Sequence, residues 1–211
     1  MPSPPPPPPS LLTLPPELRH KIYALLSPPK PLSYPFGLSP ISHITHSRLP
    51  TTLQRTCAFL CSEIIAWFYG TATVKCVPLA DTRIQDTHID ALVDAQARGV
   101  LQRMQRVEIF VQGVDARWKA RFGAWLGDLV EVLVRDTAKV RFVTVSLGSW
   151  GLEGTLLSAG DVLGVLAGLA GRLRGVEWRA GYVVAHRGEE GAVKEVLEGW
   201  VRVLNGVACR G

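Results

Sequence analysis

The chain has 211 residues, 47% of them hydrophobic and 19% charged, with a formal net charge of +5. That length and apolar content fit a globular protein with one sizeable core, or a small module beside a larger domain, and exclude a disordered chain. The mild positive balance favours acidic partners, but the arginines are scattered among acidic residues and no basic run occurs, so no nucleic-acid binding is expected.

Residues 1–10 are a proline tract, expected to be an extended, exposed tail with polyproline II character. Residues 11–26, LLTLPPELRHKIYALL, read as a short helix with prolines in its first turn, where the first N–H groups have no intrahelical partner. Glu17 then faces the positive end of the helix dipole. Leu14, Leu18, Ile22 and Leu25 or Leu26 recur at helical spacing as one apolar stripe, and Pro28-Pro29 stop the helix. A helix of about three turns is marginal alone, so the stripe must bury against this chain or another.

Residues 27–50 form a long Pro- and Ser-rich connection in which six prolines argue against helix or central strand. Residues 51–69 read as a second helix, with Leu53, Cys57, Leu60, Cys61, Ile64 and Phe68 on one face, and Thr73–Val77 as a short strand. Residues 81–104 suggest a polar loop and an amphipathic helix bearing Ile89, Leu92, Val93, Val100 and Met104. A loose repeat follows. Arg106–Val111, Val140–Leu147 and Gly175–Val184 are strand-like, and their starts recur at about thirty-five residues. Each is followed by a helical face: Trp118, Phe122, Trp125, Leu126, Leu129 and Leu133, then Val162, Val165, Leu166 and Leu169 behind a Ser158 cap, then Val193, Val196, Leu197, Trp200 and Leu204 ending at Asn205-Gly206. Such units predict three or four parallel strands with right-handed crossovers. Val140–Leu147, apolar on both faces, is expected to be central and doubly covered.

The first two helical stretches carry a resemblance. LxxLPxELRxxIYxxL over residues 11–26 is similar to the opening helix of the F-box-like domains of filamentous fungi. The following segment resembles that family's "LLxxCxxxxxExxxxFYGxxxF" at Cys57, Glu63 and Trp67-Phe68-Tyr69-Gly70. The connection at Ser27–Pro50 is longer than the short loop of an ordinary F-box, and Ala58-Phe59-Leu60-Cys61-Ser62 replaces a more polar segment. The resemblance implies a substrate adaptor of a cullin–RING ubiquitin ligase. In it Leu14, Pro15, Leu18, Ile22 and Tyr23 would contact a Skp-family subunit, and the C-terminal layer would hold a protein substrate.

Little in the sequence suggests chemistry of its own. His43 and His46 with Cys57 and Cys61 are the only set with metal-like types and spacing. Cys57 and Cys61 fall on an apolar stripe, where Cys packs as a small hydrophobe, so no metal is expected. Asp86, His88 and Asp90 alternate without a second cluster, and no serine sits in a nucleophile elbow. Gly160, Gly164, Gly168 and Gly171 lie at helical steps and suggest close helix packing. Trp150, between glycines, is a candidate partner anchor. Four cysteines at irregular spacing read as reduced thiols. The N-terminus lacks the basic and apolar regions of a signal peptide, and no apolar run reaches about eighteen residues. An intracellular location with no membrane association is expected.

The expected fold class is therefore α+β: a proline tract (1–10), a helical F-box-like module (11–77) with its Pro-rich loop (27–50), and a small α/β layer of about three βα units (78–211), degenerate leucine-rich-repeat-like in character. No enzymatic activity and no cofactor are expected. The alternative is an interaction domain whose first helix is internal core and binds no adaptor.

Overall fold

Apolar residues spaced at two and at 3.6 alternate along the chain, and the secondary structure follows them. In the computed structural model, residues 10–27, 41–45, 49–76, 99–112, 139–150 and 152–209 are described, with 126, 129, 133 and 134; for 41–44, 112, 149–150 and 152–161 only the backbone is. A 3-10 turn (Leu11–Thr13) precedes helix α1 (Pro16–Leu26), which begins on proline and carries Glu17 in its first turn. Then come β1 (Ile41–Ile44), α2 (Thr51–Gln54), α3 (Ala58–Thr71), β2 (Thr73–Cys76), β3 (Arg106–Gln112) and β4 (Phe142–Trp150). The chain closes with α4 (Leu152–Arg172), β5 (Glu177–Ala185) and α5 (Glu190–Ala208).

The five strands lie in chain order, β1-β2-β3-β4-β5, with β1 antiparallel to β2 and the other four parallel. Parallel strands added in one direction by right-handed crossovers place their connections on one face of the sheet. The register shows this sidedness. Val74, Val107, Val143 and Trp178 form one row across four strands, and Cys76, Ile109 and Val145 form the next. These residues are buried and belong to the same hydrophobic cluster as Tyr23 of α1, Leu60, Ile64, Trp67 and Phe68 of α3, Leu166 and Leu169 of α4, and Val193, Leu197 and Leu204 of α5. One core thus runs from the first helix to the last, and β2 pairs with β3 across the boundary expected at residues 77–78.

The opposite face carries Arg106, Glu108, Phe110, Phe142, Thr144 and Arg179, and its aromatic residues stand outside that core cluster. There the Lys75 ammonium lies 4.0 Å from the Phe110 ring centroid and 4.7 Å from that of Tyr182, and donates to Tyr182 Oη. This cation–aromatic group spans from β2 to β5. β4, expected to be central and doubly covered, is an interior strand beside the edge strand β5, and the row register gives it one helix-facing side and one side lined by this group.

Several sequence expectations are corrected. The helix expected at 51–69 is broken at residues 55–57 into α2 and α3, and Cys57 stands at the start of α3 in extended conformation. The Pro-rich connection holds an edge strand, β1. Its position at the rim explains how it tolerates that environment, because one side of an edge strand makes no ladder. With it, the strand count among the described residues is five. α4 begins at Leu152, so Ser158 lies inside the helix and is not its cap. α5 continues through Asn205-Gly206 to Ala208. Asn205 does not end the helix but braces the sheet, since its Oδ1 accepts from Trp178 N at 2.8 Å and its Nδ2 donates to Trp178 O at 3.0 Å. Its amide thus satisfies backbone of the edge strand β5, which would otherwise invite pairing with another chain. Trp118, Phe122, Trp125, Ile89, Leu92 and Val93 lie outside the described residues.

β5 passes so close to β4 that a side chain has no room at one position. A Cβ at Gly181 would collide with Ser146 Oγ and sit 3.0 Å from the Val145 carbonyl oxygen. Ser146 is fully buried, and its hydroxyl has no hydrogen-bond partner among the described residues. Gly181→Ala should destabilise the protein by about 1–3 kcal/mol through overpacking. Adding Ser146→Ala, which removes both the clashing atom and the unsatisfied hydroxyl, should recover part of that loss. Thermal melts of the two single variants and the double variant would reveal this coupling; strictly additive shifts would show that Ser146 is not what crowds Gly181.

Candidate functional site

The residues expected to meet a partner lie on α1, and what α1 packs against decides which of them can. The helix faces α3 through polar groups. Arg19 donates from Nε to Glu63 Oε2 at 2.8 Å and from Nη2 to Glu63 Oε1 at 2.7 Å, a two-pronged ion pair. Nη1 of Arg19 donates to the Leu14 carbonyl, which ties the chain ahead of α1 to the same group. Tyr23, one turn on, donates its hydroxyl to Glu63 Oε2 at 2.7 Å and sets its ring edge-on to Trp67 at 5.7 Å. The Arg19 guanidinium also lies 5.4 Å from the Phe59 ring centroid, and His20 Nε2 comes within 3.9 Å of Glu63.

Both Arg19 and Tyr23 are buried, and they sit at i and i+4 on one side of the helix. That choice turns the leucine stripe outward. Leu18 is 44% exposed, Leu25 81% and Leu26 53%, while Leu14 and Ile22 are half-buried and Pro15 is exposed. Leu12 ahead of the helix and Phe59 on α3 are also about half exposed. Of the five residues expected to contact a partner, four have accessible surface. Tyr23 does not: it is fully buried and anchors α1 to α3. The expectation that Tyr23 faces outward is therefore corrected. Its hydroxyl finds its acceptor on the chain's own Glu63.

The electrostatics follow from the same contacts. The hydrogen bonds from Arg19 hold the Glu63 carboxyl below the usual carboxylate range, and those from Tyr23 and the Arg19 charge add to this against the opposing effect of burial. The Arg19 guanidinium is pushed further up by its bonds to Glu63. Burial pushes the Tyr23 phenol up to about 12, and its bond to Glu63 reinforces the shift.

The remaining sequence candidates that are described do not come together. Among the described residues no group of three or more His, Cys, Asp and Glu is placed to hold a metal. Cys57 and Cys61 are free thiols, half-buried at the start of α3. His43 falls in β1, while His46, Asp86, His88 and Asp90 lie outside the described residues. Trp150 is the last residue of β4 and not a loop residue. Sequence periodicity missed Arg19 and Glu63, because it scores apolar recurrence. The signal that held them was the pair of motif letters, Arg in the first pattern and Glu in the second. Comparison with protein-family models, curated proteins and solved structures finds no match for the chain. No described helix is long and apolar enough to cross a membrane.

The stability of this helix pair has a defined pH dependence. Glu63 has a folded pKa below its unfolded one, so its contribution is present above the ordinary carboxylate range and is lost as pH falls through and below it. Tyr23 has the opposite sign: its contribution is present below its ordinary value of 10.0 and is lost as pH rises from there to about 12. Glu63→Gln should lower the melting temperature at neutral pH, and the gap to the native protein should close below about pH 4. Tyr23→Phe should cost about 1.5–3 kcal/mol at neutral pH, the range for a hydrogen bond to a charged group, and part of that gap should also close in acid, because the Tyr23 bond is one of those that hold the Glu63 carboxyl down. Melting curves from pH 3 to 8 would check both; a gap for Glu63→Gln that stays constant into acid would show that the ion pair contributes nothing.

Proposed function

We propose that this chain is a non-catalytic interaction protein of the F-box-like type. In this reading α1 offers its outward leucines to a Skp-family subunit of a cullin–RING ubiquitin ligase, and the α/β layer holds a protein substrate. One observation carries the reading: an apolar stripe on an N-terminal helix faces away from the chain's own core. Leu18 and Leu25 stand 44% and 81% exposed because Arg19 and Tyr23 occupy the inward side. Leu14, Pro15, Leu18 and Ile22 are the proposed contacts, joined by Leu25. The same arrangement accounts for the polar letters of the resemblance. Arg19 and Tyr23 of the first pattern and Glu63 of the second meet in one cluster, 40 and 44 residues apart in sequence.

The layer behind the helices supports the second half of the reading. Parallel strands in chain order are the arrangement of a solenoid of strand–helix repeats, whose stacked units present extended surfaces to partners. Ubiquitin transfer would belong to other subunits, so no residue here is assigned a chemical step. A second reading, in which α1 is purely internal structure, draws on the full burial of Tyr23. It leaves the exposed leucines without a role.

The test is capture of a purified Skp-family adaptor by the full chain, beside a Leu18→Asp/Leu25→Asp variant. Both leucines are exposed, so circular dichroism should show an unchanged fold. The native protein should retain the adaptor and the variant should lose about ten-fold or more of that capture. Failure of the folded native protein to bind, or equal binding by both, would overturn the adaptor role.

A further inference from the structure

Parallel strands in chain order bring every helix-to-strand turn to the same edge of the sheet. In this chain the turns ahead of β3, β4 and β5 each carry exposed cations, Arg103, then Lys139 and Arg141, then Arg174, and Arg106 opens β3. Backbone hydrogen bonds lock the turns side by side. Gln105 O accepts from Arg141 N at 2.9 Å and from Phe142 N at 3.0 Å, and Arg141 O accepts from Glu177 N at 2.9 Å. Neighbouring strands lie about 4.8 Å apart. Cations that are scattered in the sequence are therefore brought to the same, strand-start end of the sheet.

Two of the cations are held in place. The guanidinium carbons of Arg106 and Arg179 lie 5.5 and 4.0 Å from the centroid of the same ring, Phe142. Stacking fixes the guanidinium plane and leaves N–H groups at its rim for an oxygen ligand. Two carboxylates lie among the described residues of these turns and strand starts: Glu177, taken by Arg179 at 2.7 Å, and the half-buried Glu108, which shares a row with Arg179 through Thr144. Arg106 has no carboxylate partner among the described residues.

We infer that this edge is a docking surface for an Asp/Glu-rich segment of a protein partner, which under the proposed function, on which this inference rests, is the substrate. Charge complementarity carries the choice of occupant: among the described residues, exposed Arg103, Lys139, Arg141 and Arg174 of three adjoining turns, with Arg106 and Arg179 on the strands, outnumber Glu177, which Arg179 takes, and the half-buried Glu108. Single-stranded nucleic acid fits less well. It would need bare aromatic faces for its bases, whereas Phe142 is stacked by Arg106 and Arg179 and Tyr69 by Arg103.

The test uses the full chain and a fluorescein-labelled peptide of alternating Asp and Glu, read by fluorescence anisotropy. Binding should weaken with rising salt. Arg106→Glu/Arg174→Glu should lower affinity by about ten-fold or more. Arg187→Glu/Lys194→Glu, with the same charge change beyond the strand-end side, should stay within about two-fold of the native protein. Should the first reversal disturb the fold by circular dichroism, Arg106→Gln/Arg174→Gln should still give a several-fold loss. Absence of peptide binding, equal losses in both reversal variants, or tighter binding of a single-stranded oligonucleotide of matched charge would overturn the inference. The Leu18→Asp/Leu25→Asp variant should bind the peptide normally, so the fate of the adaptor role is read separately.

Discussion

The ion pair between Arg19 and Glu63 sets the orientation of α1, and much of what the surface offers depends on it. Hydrophobic burial alone would turn the leucine side of α1 inward, since each buried leucine contributes about 1.5–3 kcal/mol. The helix instead buries an arginine and a tyrosine. A carboxylate on α3 that accepts from three donors leaves them no equivalent alternative, because a half-buried Glu63 without Arg19 would be a poorly compensated charge. Ion pairs of this kind contribute modestly to net stability when intact. Their effect lies in discrimination: of all rotations of α1 about its axis, one satisfies Glu63, and in that rotation Leu18 and Leu25 face outward. Apolar exposure is here a consequence of polar geometry.

A second constraint is topological. Adding parallel strands in one direction makes the layer one-sided, with helix and hydrophobic core on one face and cation–aromatic groups on the other. It also sorts the turns by type, so that all turns leading into strands share an edge. Residues about thirty-five positions apart thereby become neighbours. The basic edge is a product of this sorting, since Arg141 and Glu177 are joined to the preceding turns by backbone bonds and not by any local run of charge.

The sequence made the repeat legible because its strands and helices have strong, different periodicities. β3, β4 and β5 lie within a few residues of expectation, and Val193, Leu197, Trp200 and Leu204 of α5 are buried as the pattern requires. What escaped has physical causes. Apolar spacing cannot tell an inward leucine stripe from an outward one, so the buried side of α1 was invisible until Glu63 was placed beside it. β1 escaped because it is four residues long in a Pro-rich stretch and exists only by pairing with β2. The break between α2 and α3 escaped because Leu53, Cys57 and Leu60 keep helical spacing through it. Asn205-Gly206 reads as a helix end by local chemistry, but a tertiary contact, the amide of Asn205 on the backbone of Trp178, overrides that signal. The basic edge was hidden for the reason that exposes it in the fold: its members are distant in sequence.

The outward leucines and the strand-start edge are joined through α3. Its Leu60, Ile64, Trp67 and Phe68 sit in the common core, its Glu63 holds α1, and its Tyr69 carbonyl accepts from Gln105 N at 3.0 Å, just ahead of β3. One residue, Ala72, separates α3 from β2. A connection that short and fully buried has none of the reach of a flexible linker. Two surfaces held by one helix and one core keep a fixed spacing, which is what the proposed adaptor role would require. The same coupling means that loosening the Arg19–Glu63 pair would free α1 from the layer while leaving the sheet's own ladder intact.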